Sequence, residues 1–291
     1  MTPRKKSPRK KSPRKKSPPE PRNPGTPEEQ PLEGQLPGEP RRPAVSLARV
    51  QTRSDAAEPA PPRGLPEALI VTLDGPAGSG KSTVARRLAA RLGLEFLDTG
   101  AMYRGIAATA LARGIDPVAE AELLAELVRH CEIRFDWATD PPRLLVRGQD
   151  LTHRLRDEDV TAQVSAVARI PAVREVLVRE QQRMGREHPR LVTEGRDQGS
   201  VVFPDAAAKF FLDASPRVRA QRRADQMRAA GRRADVEQIR EQILARDAAD
   251  SSRAVAPLVC PEGAERVDTS ELDLDQVLDL LESRVRARAG A

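Results

Sequence analysis

The chain has 291 residues, and 49 Lys and Arg against 43 Asp and Glu give it a formal net charge of +6. Most of that charge lies in residues 1–66, which hold 15 basic and 7 acidic residues, whereas the remainder holds 34 and 36. No stretch approaches the roughly 18 apolar residues of a membrane helix, and no apolar run follows the basic N-terminus, so we predict neither a membrane span nor a secretory signal.

Residues 1–66 contain no aromatic residue and are rich in Pro, Arg, Lys and Ser. The sequence Pro-Arg-Lys-Lys-Ser occurs three times within residues 3–17. Proline at every fifth position prevents a helix, and the few apolar side chains cannot offset the entropy lost on ordering. We therefore predict a disordered basic tail and linker in residues 1–66 and a folded domain in residues 67–291.

Short apolar strands alternate with helical patterns from Glu67 onward, which is typical of an α/β fold with a parallel sheet and helices on both faces. The predicted strands are 68–73, 95–97, 191–193, 209–212 and 265–268. The predicted helices are 81–92, 101–113, 120–131, 171–186, one that begins at Pro216 behind a Ser215 cap, 235–248 and 274–286. Two further strands, 132–135 and 143–147, interrupt the alternation and predict a small inserted antiparallel unit at about 131–155.

A glycine-rich motif follows the first predicted strand. Residues 75–82 match G-x-x-x-x-G-K-[ST] at every fixed position, between an apolar strand and an amphipathic helix. The glycines let several backbone N–H groups face one anion, and the helix N-terminus adds partial positive charge. The residues predicted to bind ATP are Gly75, Pro76, Ala77, Gly78, Ser79, Gly80, Lys81, Ser82 and Thr83.

Two side chains of this P-loop have predicted roles of their own. Lys81 would contact the β- and γ-phosphates as a catalytic residue, and the Ser82 hydroxyl would hold Mg²⁺. The alternative is a glycine-rich turn with a surface lysine, which is disfavoured because Lys81 is one of only two lysines after residue 66. The motif alone does not distinguish kinases from motors, GTPases or helicases.

Four further blocks, in order along the chain, resemble the bacterial cytidylate kinase family. They are LDTGAMYR at 97–104, VS at 164–165 with IPAVR at 170–174, TEGRDQG at 193–199, and ARDAADSSRAVAPL at 245–258. The resemblance covers about residues 68–286. It implies a P-loop kinase fold in which the inserted unit binds the nucleoside monophosphate and a lid lies at about 217–250. It also implies ATP-dependent phosphorylation of CMP and dCMP to CDP and dCDP.

The resemblance assigns the acceptor phosphate and ribose to charged side chains. Arg104, Arg196 and Arg253 would hold the phosphate, since planar guanidinium groups fit phosphate oxygens, and Arg196 would also be catalytic. Arg246 and Asp250 would hold the ribose hydroxyls. Any one of these arginines, taken alone, is more typical of a solvated surface, so the assignment depends on the ordered set of blocks.

The resemblance also assigns the base. Cytosine presents an amino donor beside two acceptors, which a carboxylate and an arginine complement. Ser165, Arg174 and Asp197 match the family's base-binding positions, and Thr99 is expected to contact the acceptor as well. Tyr103, in the same block as Thr99, is either an acceptor contact or a core residue.

The resemblance extends to the predicted lid, but two positions depart from the family pattern. Arg222 and Arg223 would contact the transferred phosphate or lie on a solvated helix face. Gln198 stands where the pattern often has an apolar residue, and the arginines common between Asp247 and Arg253 are replaced here by Ala and Ser.

Other functions stay open at this point. A kinase of the same fold acting on UMP or shikimate is the nearest alternative, and a nucleic-acid-binding protein is suggested by the tail, which we expect to bind polyanions non-specifically unless it is solvated and without a partner. Cys131 and Cys260 lie outside any CxxC spacing, which favours reduced thiols in the cytoplasm. We expect a monomer.

Overall fold

The structure, a computed structural model, describes residues 65–290. All but the last two residues of the predicted disordered tail therefore lie outside the described residues. The strands are β1 (Leu69–Asp74), β2 (Glu95–Asp98), β3 (Ile133–Asp136), β4 (Arg143–Val146), β5 (Gln149–Asp150), β6 (Arg190–Glu194), β7 (Ala208–Asp213) and β8 (Glu265–Asp268). The helices are α1 (Lys81–Leu92), α2 (Thr99–Ala112), α3 (Ala121–Arg129), α4 (Glu158–Val167), α5 (Pro171–Glu187), α6 (Pro216–Ala229), α7 (Val236–Ser251) and α8 (Leu274–Arg288).

Five strands form a parallel sheet in the order β2-β6-β1-β7-β8, which confirms the predicted α/β architecture. Side chains of a strand point alternately to its two faces. Leu69, Val71 and Leu73 of β1 accordingly lie in one buried apolar cluster together with residues of α1 and α8. A second apolar cluster, formed largely by α2 to α5 and the small sheet, includes Leu191 of β6. The central strands are thus buried on both faces.

The predicted inserted unit is an antiparallel sheet in the order β3-β4-β5. It packs closely on α2, where a Cβ atom on Gly105 would lie 2.5 Å from Leu144 Cδ2, so any larger residue would require this side chain to shift. None of the predicted acceptor-binding residues lies on β3, β4 or β5. Its predicted role in binding the nucleoside monophosphate therefore gains no support from these strands.

Helices α6 and α7 form the region predicted to be a lid. They pack on each other through a small apolar cluster of Ala220, Ala224, Ile239 and Ile243. Ser215 accepts a hydrogen bond from the Val218 amide at the start of α6, as the predicted cap requires.

Helix α4 and a five-residue π-helical turn at Gln198–Val202 were not predicted. Within α4, Val160, Val164 and Val167 are buried at the spacing of one helical face, so the helical signal was present in the sequence. The π-helical turn has no comparable pattern. Within residues 65–290, no helix is both long and apolar enough to cross a membrane.

All five strands of the parallel sheet end in an acidic residue. Asp74, Asp98, Glu194, Asp213 and Asp268 are the last residues of β1, β2, β6, β7 and β8. Carboxyl ends of parallel strands lie at one edge of the sheet, which is where ligands bind in open α/β folds. This edge carries the candidate site.

Candidate functional site

The glycine-rich loop connects β1 directly to α1. Gly75, Gly78 and Gly80 have φ angles of 147°, 79° and 89°, values that glycine adopts without strain. A Cβ atom on Gly75 would lie 2.0 Å from the Leu212 carbonyl oxygen, so the loop passes β7 too closely for any other residue. The predicted strand, loop and helix arrangement of an anion cradle is therefore present.

Lys81 lies inside this loop. Its ammonium group donates hydrogen bonds to the Pro76 carbonyl at 2.7 Å and to Ser79 Oγ at 3.3 Å. Burial, and secondly the nearby Arg196, lower the Lys81 pKa to about 7. A polyphosphate bound in the loop would supply the negative charge that this buried cation needs.

Two carboxylates lie beside the Ser82 end of the loop, and sequence reasoning missed both. Ser82 Oγ donates to Glu194 Oε1 at 2.7 Å, and Thr99 Oγ1 donates to the Glu194 carbonyl at 2.7 Å. Burial, and secondly the charge of Glu194, raise the Asp98 pKa to about 7. Both could have been predicted from the sequence as acidic residues at strand ends, because the carboxyl ends of parallel strands meet at one edge of the sheet.

Asp74 connects the phosphate loop with the segment after β6. Its fully buried carboxylate accepts hydrogen bonds from the Gln198 amide at 2.8 Å and the Gly199 amide at 2.7 Å. Burial raises the Asp74 pKa to about 6, against the effect of these two bonds. Asp74 immediately precedes Gly75, so one side chain joins the glycine-rich phosphate loop, 75–82, to the TEGRDQG block.

Arg174 and Asp197, both predicted to bind the base, lie in contact with each other. Arg174 donates to Asp197 in an ion pair whose members are 3% and 7% exposed at their side chains. The Arg174 guanidinium also lies over the Tyr103 ring, 5.6 Å from its centroid. Burial raises the Asp197 pKa, although Arg174 and Arg253 oppose the shift. The separate sequence blocks 170–174 and 193–199 thus meet through two buried side chains that are 23 positions apart in the chain.

The predicted phosphate and ribose residues lie nearby. Arg196 Nε donates to Asp250 Oδ2 at 3.0 Å, and Arg253 Nε donates to the Asp250 carbonyl at 3.1 Å. Burial, and secondly the neighbouring Arg196, lower the pKa of Arg246 to about 10. The cluster therefore concentrates positive charge that is only partly neutralised by Asp250.

Several buried polar atoms of this cluster have no hydrogen-bond partner among the described residues. They are Arg174 Nε, Arg246 Nε, an Arg253 terminal nitrogen and the Tyr103 hydroxyl. An unpaired buried donor costs on the order of 1–3 kcal/mol, and most buried polar groups are paired. Donors that remain free in a cationic cleft are what a phosphate-bearing ligand would satisfy.

The other predicted acceptor residues are placed less decisively. Arg104 donates to the Leu155 carbonyl at 3.3 Å and to Thr161 Oγ1 at 3.1 Å. Ser165 is half-buried on α4, and its role stays a prediction from the resemblance. Arg222, predicted either to contact phosphate or to lie on a solvated face, donates instead to the Thr269 carbonyl at 2.6 Å and to Thr269 Oγ1 at 3.0 Å.

A cavity of about 570 Å³ lies elsewhere, between β3 and the end of α5. Its lining includes Trp137, His188 and Arg183, and the Arg183 guanidinium is paired with Glu180 and Glu187. None of the predicted site residues lines this cavity. The candidate site is therefore the cleft at the carboxyl edge of the parallel sheet.

The sequence is similar to proteins of known family. The family model described as Cytidylate kinase matches residues 71–287. A cytidylate kinase of Azotobacter vinelandii is 44% identical over 222 residues, covering 76% of this chain and 96% of that protein. The corresponding protein of Mycobacterium leprae is 44% identical over 77% of this chain and 98% of its own length, and that of Nitratidesulfovibrio vulgaris is 45% identical over 78% and 97%.

Proposed function

Because this chain belongs to the cytidylate kinase family, we propose that it transfers the terminal phosphate of ATP to CMP and dCMP, forming CDP and dCDP. The observation that carries the proposal is the buried cationic cleft beside the phosphate loop, with free N–H groups on Arg174, Arg246 and Arg253. A P-loop alone fits many nucleotide-binding proteins. A second anion site at its edge, next to a carboxylate–guanidinium pair that matches cytosine, fits a cytosine nucleotide as acceptor.

The chemistry is mainly a matter of position and charge. Phosphoryl transfer has a loose transition state with charge spread over the transferred oxygens, so catalysis comes from alignment and electrostatic stabilisation. Loop amides and Lys81 would hold the ATP phosphates. Arg104, Arg196 and Arg253 would hold the acceptor phosphate in line with them. Arg196 is near enough to Lys81 to lower its pKa, so it would also face the transferred group.

Base selection would depend on Asp197. Its carboxylate has one oxygen paired with Arg174, and a carboxylate accepts through both oxygens. The second oxygen would accept from the cytosine amino group, while Arg174 and Ser165 would donate to the base acceptors. Uracil presents an acceptor at that position, which would face the same carboxylate and be disfavoured.

A Mg²⁺ ion fits the oxygen groups beside the loop. Ser82 Oγ and the Glu194 carboxylate are hydrogen-bonded, and Asp98 is close enough to Glu194 for its pKa to be raised to about 7. Such carboxylate and hydroxyl oxygens are ligands of Mg²⁺ in phosphate sites, and a dication would relieve their repulsion. Ser82, Glu194 and Asp98 would hold the ion directly or through water. When bound it neutralises charge on the ATP phosphates.

Exclusion of water would protect ATP from simple hydrolysis. Helices α6 and α7 lie next to the phosphate loop, since a Cβ atom on Gly78 would be 3.4 Å from Arg219 and 3.6 Å from Ile243. They would cover the transferred phosphate and exclude water from it when both substrates are bound. The predicted lid region, 217–250, corresponds to this helical pair.

The test is a panel of acceptors with the full chain, ATP and Mg²⁺. CMP and dCMP should be phosphorylated with the highest kcat/KM, and UMP, AMP, GMP and shikimate with lower values. Higher efficiency on UMP or shikimate would overturn the proposed acceptor and leave the kinase fold intact. Equal ADP formation with and without an acceptor would contradict the transferase activity.

The basic tail has a separate proposed partner. Nine Lys and Arg lie within residues 4–16, enough to neutralise several nucleic-acid phosphates without distinguishing sequences. The full chain should bind DNA with an affinity that falls with salt by a slope of about −0.9 per neutralised phosphate. A chain that starts at Glu67 should lose that binding and keep its CMP kinase activity. Equal DNA binding by both would contradict the role, and so would none by either. A monomeric state and a cytoplasmic location stay predictions.

A further inference from the structure

Helix α7 presents charged residues to both substrate positions. Arg246 and Asp250 are four residues apart, so they lie on one helical face, which belongs to the proposed acceptor cleft. Asp247 is about 100° further round the helix, and it contacts the phosphate loop instead. Its Oδ1 atom accepts a hydrogen bond from the Ala77 amide at 3.1 Å.

Arg219 of α6 completes this contact. One of its terminal nitrogens donates to the Ala77 carbonyl at 2.9 Å and to Asp247 Oδ2 at 2.5 Å, while its Nε donates to the Ala214 carbonyl at 2.8 Å. The side chains of Arg219 and Asp247 are only 5% and 17% exposed. Both backbone polar groups of Ala77 are therefore held by one buried ion pair.

Each of the two segments also has stabilising contacts of its own. The phosphate loop has the Lys81 bonds to Pro76 and Ser79. The α6–α7 pair has its own apolar contact, which includes Ala224 and Ile239. The ion pair adds a link between the two, and a buried, hydrogen-bonded guanidinium fork allows little change of geometry.

We propose that Arg219 and Asp247 are positioning residues that fix α7, and with it Arg246 and Asp250, relative to the phosphate loop. The acceptor is thereby held in line with the donor phosphate. This inference rests on the proposed function, because it assigns the acceptor to α7 and the donor to the loop. It adds two residues that touch neither substrate and act through the segments they connect.

The test is the isosteric change Asp247→Asn. The amide oxygen still accepts from Ala77, but the charge opposite Arg219 is lost and the link is loosened. Each substrate keeps its own contacts, so the Kd of ATP alone and of CMP alone should change by less than about threefold. Phosphoryl transfer requires the ATP phosphate and the CMP phosphate to be aligned, and a misplacement of about 1 Å lowers the rate about 100-fold. The kcat should therefore fall by roughly 10- to 100-fold.

Glu237→Gln is the matched control. Glu237 lies on the same helix and pairs with Arg240 at an exposed position, so the same chemical change there should leave kcat, both Kd values and the unfolding midpoint unchanged. A second variant guards against poor folding of Asp247→Asn. The double variant Arg219→Met with Asp247→Leu leaves no uncompensated charge. Its kcat should fall at least as far as that of the single variant, because both bonds to Ala77 are removed.

Three results would overturn the inference. The first is normal kcat in a folded Asp247→Asn protein. The second is a large rise in the Kd of ATP with kcat retained, which would make the pair part of the ATP site alone. The third is normal kcat in the double variant. A wild-type chain that binds ATP and does not phosphorylate CMP would instead contradict the proposed function, so the two failures are distinguishable.

Discussion

The donor and acceptor sides of the cleft are built in different ways. The donor side is one continuous segment, 75–82, in which Lys81 and Ser82 already have hydrogen-bond partners. The acceptor side collects side chains from separate segments, including α2, α5, the turn after β6, and α7. Among the residues described, Arg174, Arg246 and Arg253 of that side each keep a buried nitrogen without a partner.

This difference indicates where selectivity resides. A loop made largely of backbone amides can hold any polyphosphate, and its shape does not depend on which nucleotide is attached. Buried donors without partners favour only a ligand that pairs with them, because a ligand that fails to do so leaves the cost in place. Changes on the donor side should therefore reduce activity with every acceptor, and changes on the acceptor side should alter the choice among acceptors.

The largest effect is expected from Lys81→Ala. Removing one preorganised charge contact to the transferred phosphate should lower kcat by about 10²- to 10³-fold, or ~3–4 kcal/mol. Because the donor side does not distinguish acceptors, CMP, dCMP and UMP turnover should fall by the same factor. Steady-state kinetics with each acceptor and a thermal unfolding curve would measure both points.

Lys209→Ala is the control for this change. Lys209 is the other lysine after residue 66, and it donates to the Pro204 carbonyl away from the loop. Its removal should leave kcat unaltered. Near-normal turnover in folded Lys81→Ala protein would remove Lys81 from the reaction and, with it, the interpretation of the P-loop.

The same contrast explains what the sequence could and could not predict. The strand, loop and helix of the donor site are contiguous, so one motif located them, and the parallel sheet followed from the alternation of apolar strands with helices. The acceptor site depends on contacts between distant segments, such as Arg174 with Asp197, and the resemblance to a family supplied those residues where spacing alone would not.

Residues that act through tertiary contacts were missed for the same reason. Glu194 meets Ser82 across 112 positions of the chain, and Asp247 meets Ala77 across 170. No local pattern marks such pairs. Acidic residues at strand ends gave a usable signal for Glu194 and Asp98, whereas nothing in the helical sequence distinguishes Asp247 from its exposed neighbours.

An intermediate effect is expected from Asp197→Ala, which tests the acceptor side. Loss of one base-edge contact should lower kcat/KM for CMP by roughly 10- to 100-fold, or ~1–3 kcal/mol, and should lower it less for UMP. The ratio of the two efficiencies is the measurement that matters, because Arg174 loses its buried partner and stability will fall as well.

Asp205→Ala provides the comparison for Asp197. Asp205 is exposed in the same connection between β6 and β7, so its loss should change neither efficiency nor their ratio. Equal reductions for CMP and UMP in the Asp197 variant would mean that this carboxylate supports the fold of the pocket and does not select the base.

The smallest effect is a pH dependence of ATP binding that belongs to the donor side alone. The pKa of Lys81 is lowered from 10.5 to about 7, first by burial and then by Arg196. Bound phosphates favour the ammonium form and raise that pKa, so ATP binding should take up a proton above about pH 7. The Kd of metal-free ATP should consequently rise by up to about tenfold per pH unit above pH 7, and should be flat well below pH 6, where Lys81 is protonated in both states. Calorimetry in buffers of different ionisation enthalpy measures the proton uptake directly.

Asp98, with a pKa of about 7, also gains a proton near bound phosphate, so the decisive quantity is the difference in proton uptake between wild type and Lys81→Met. CMP binding alone should show a smaller difference, since its phosphate would act on Lys81 chiefly by neutralising Arg196. The same proton uptake in both proteins would assign the titration to Asp98 and leave Lys81 charged throughout.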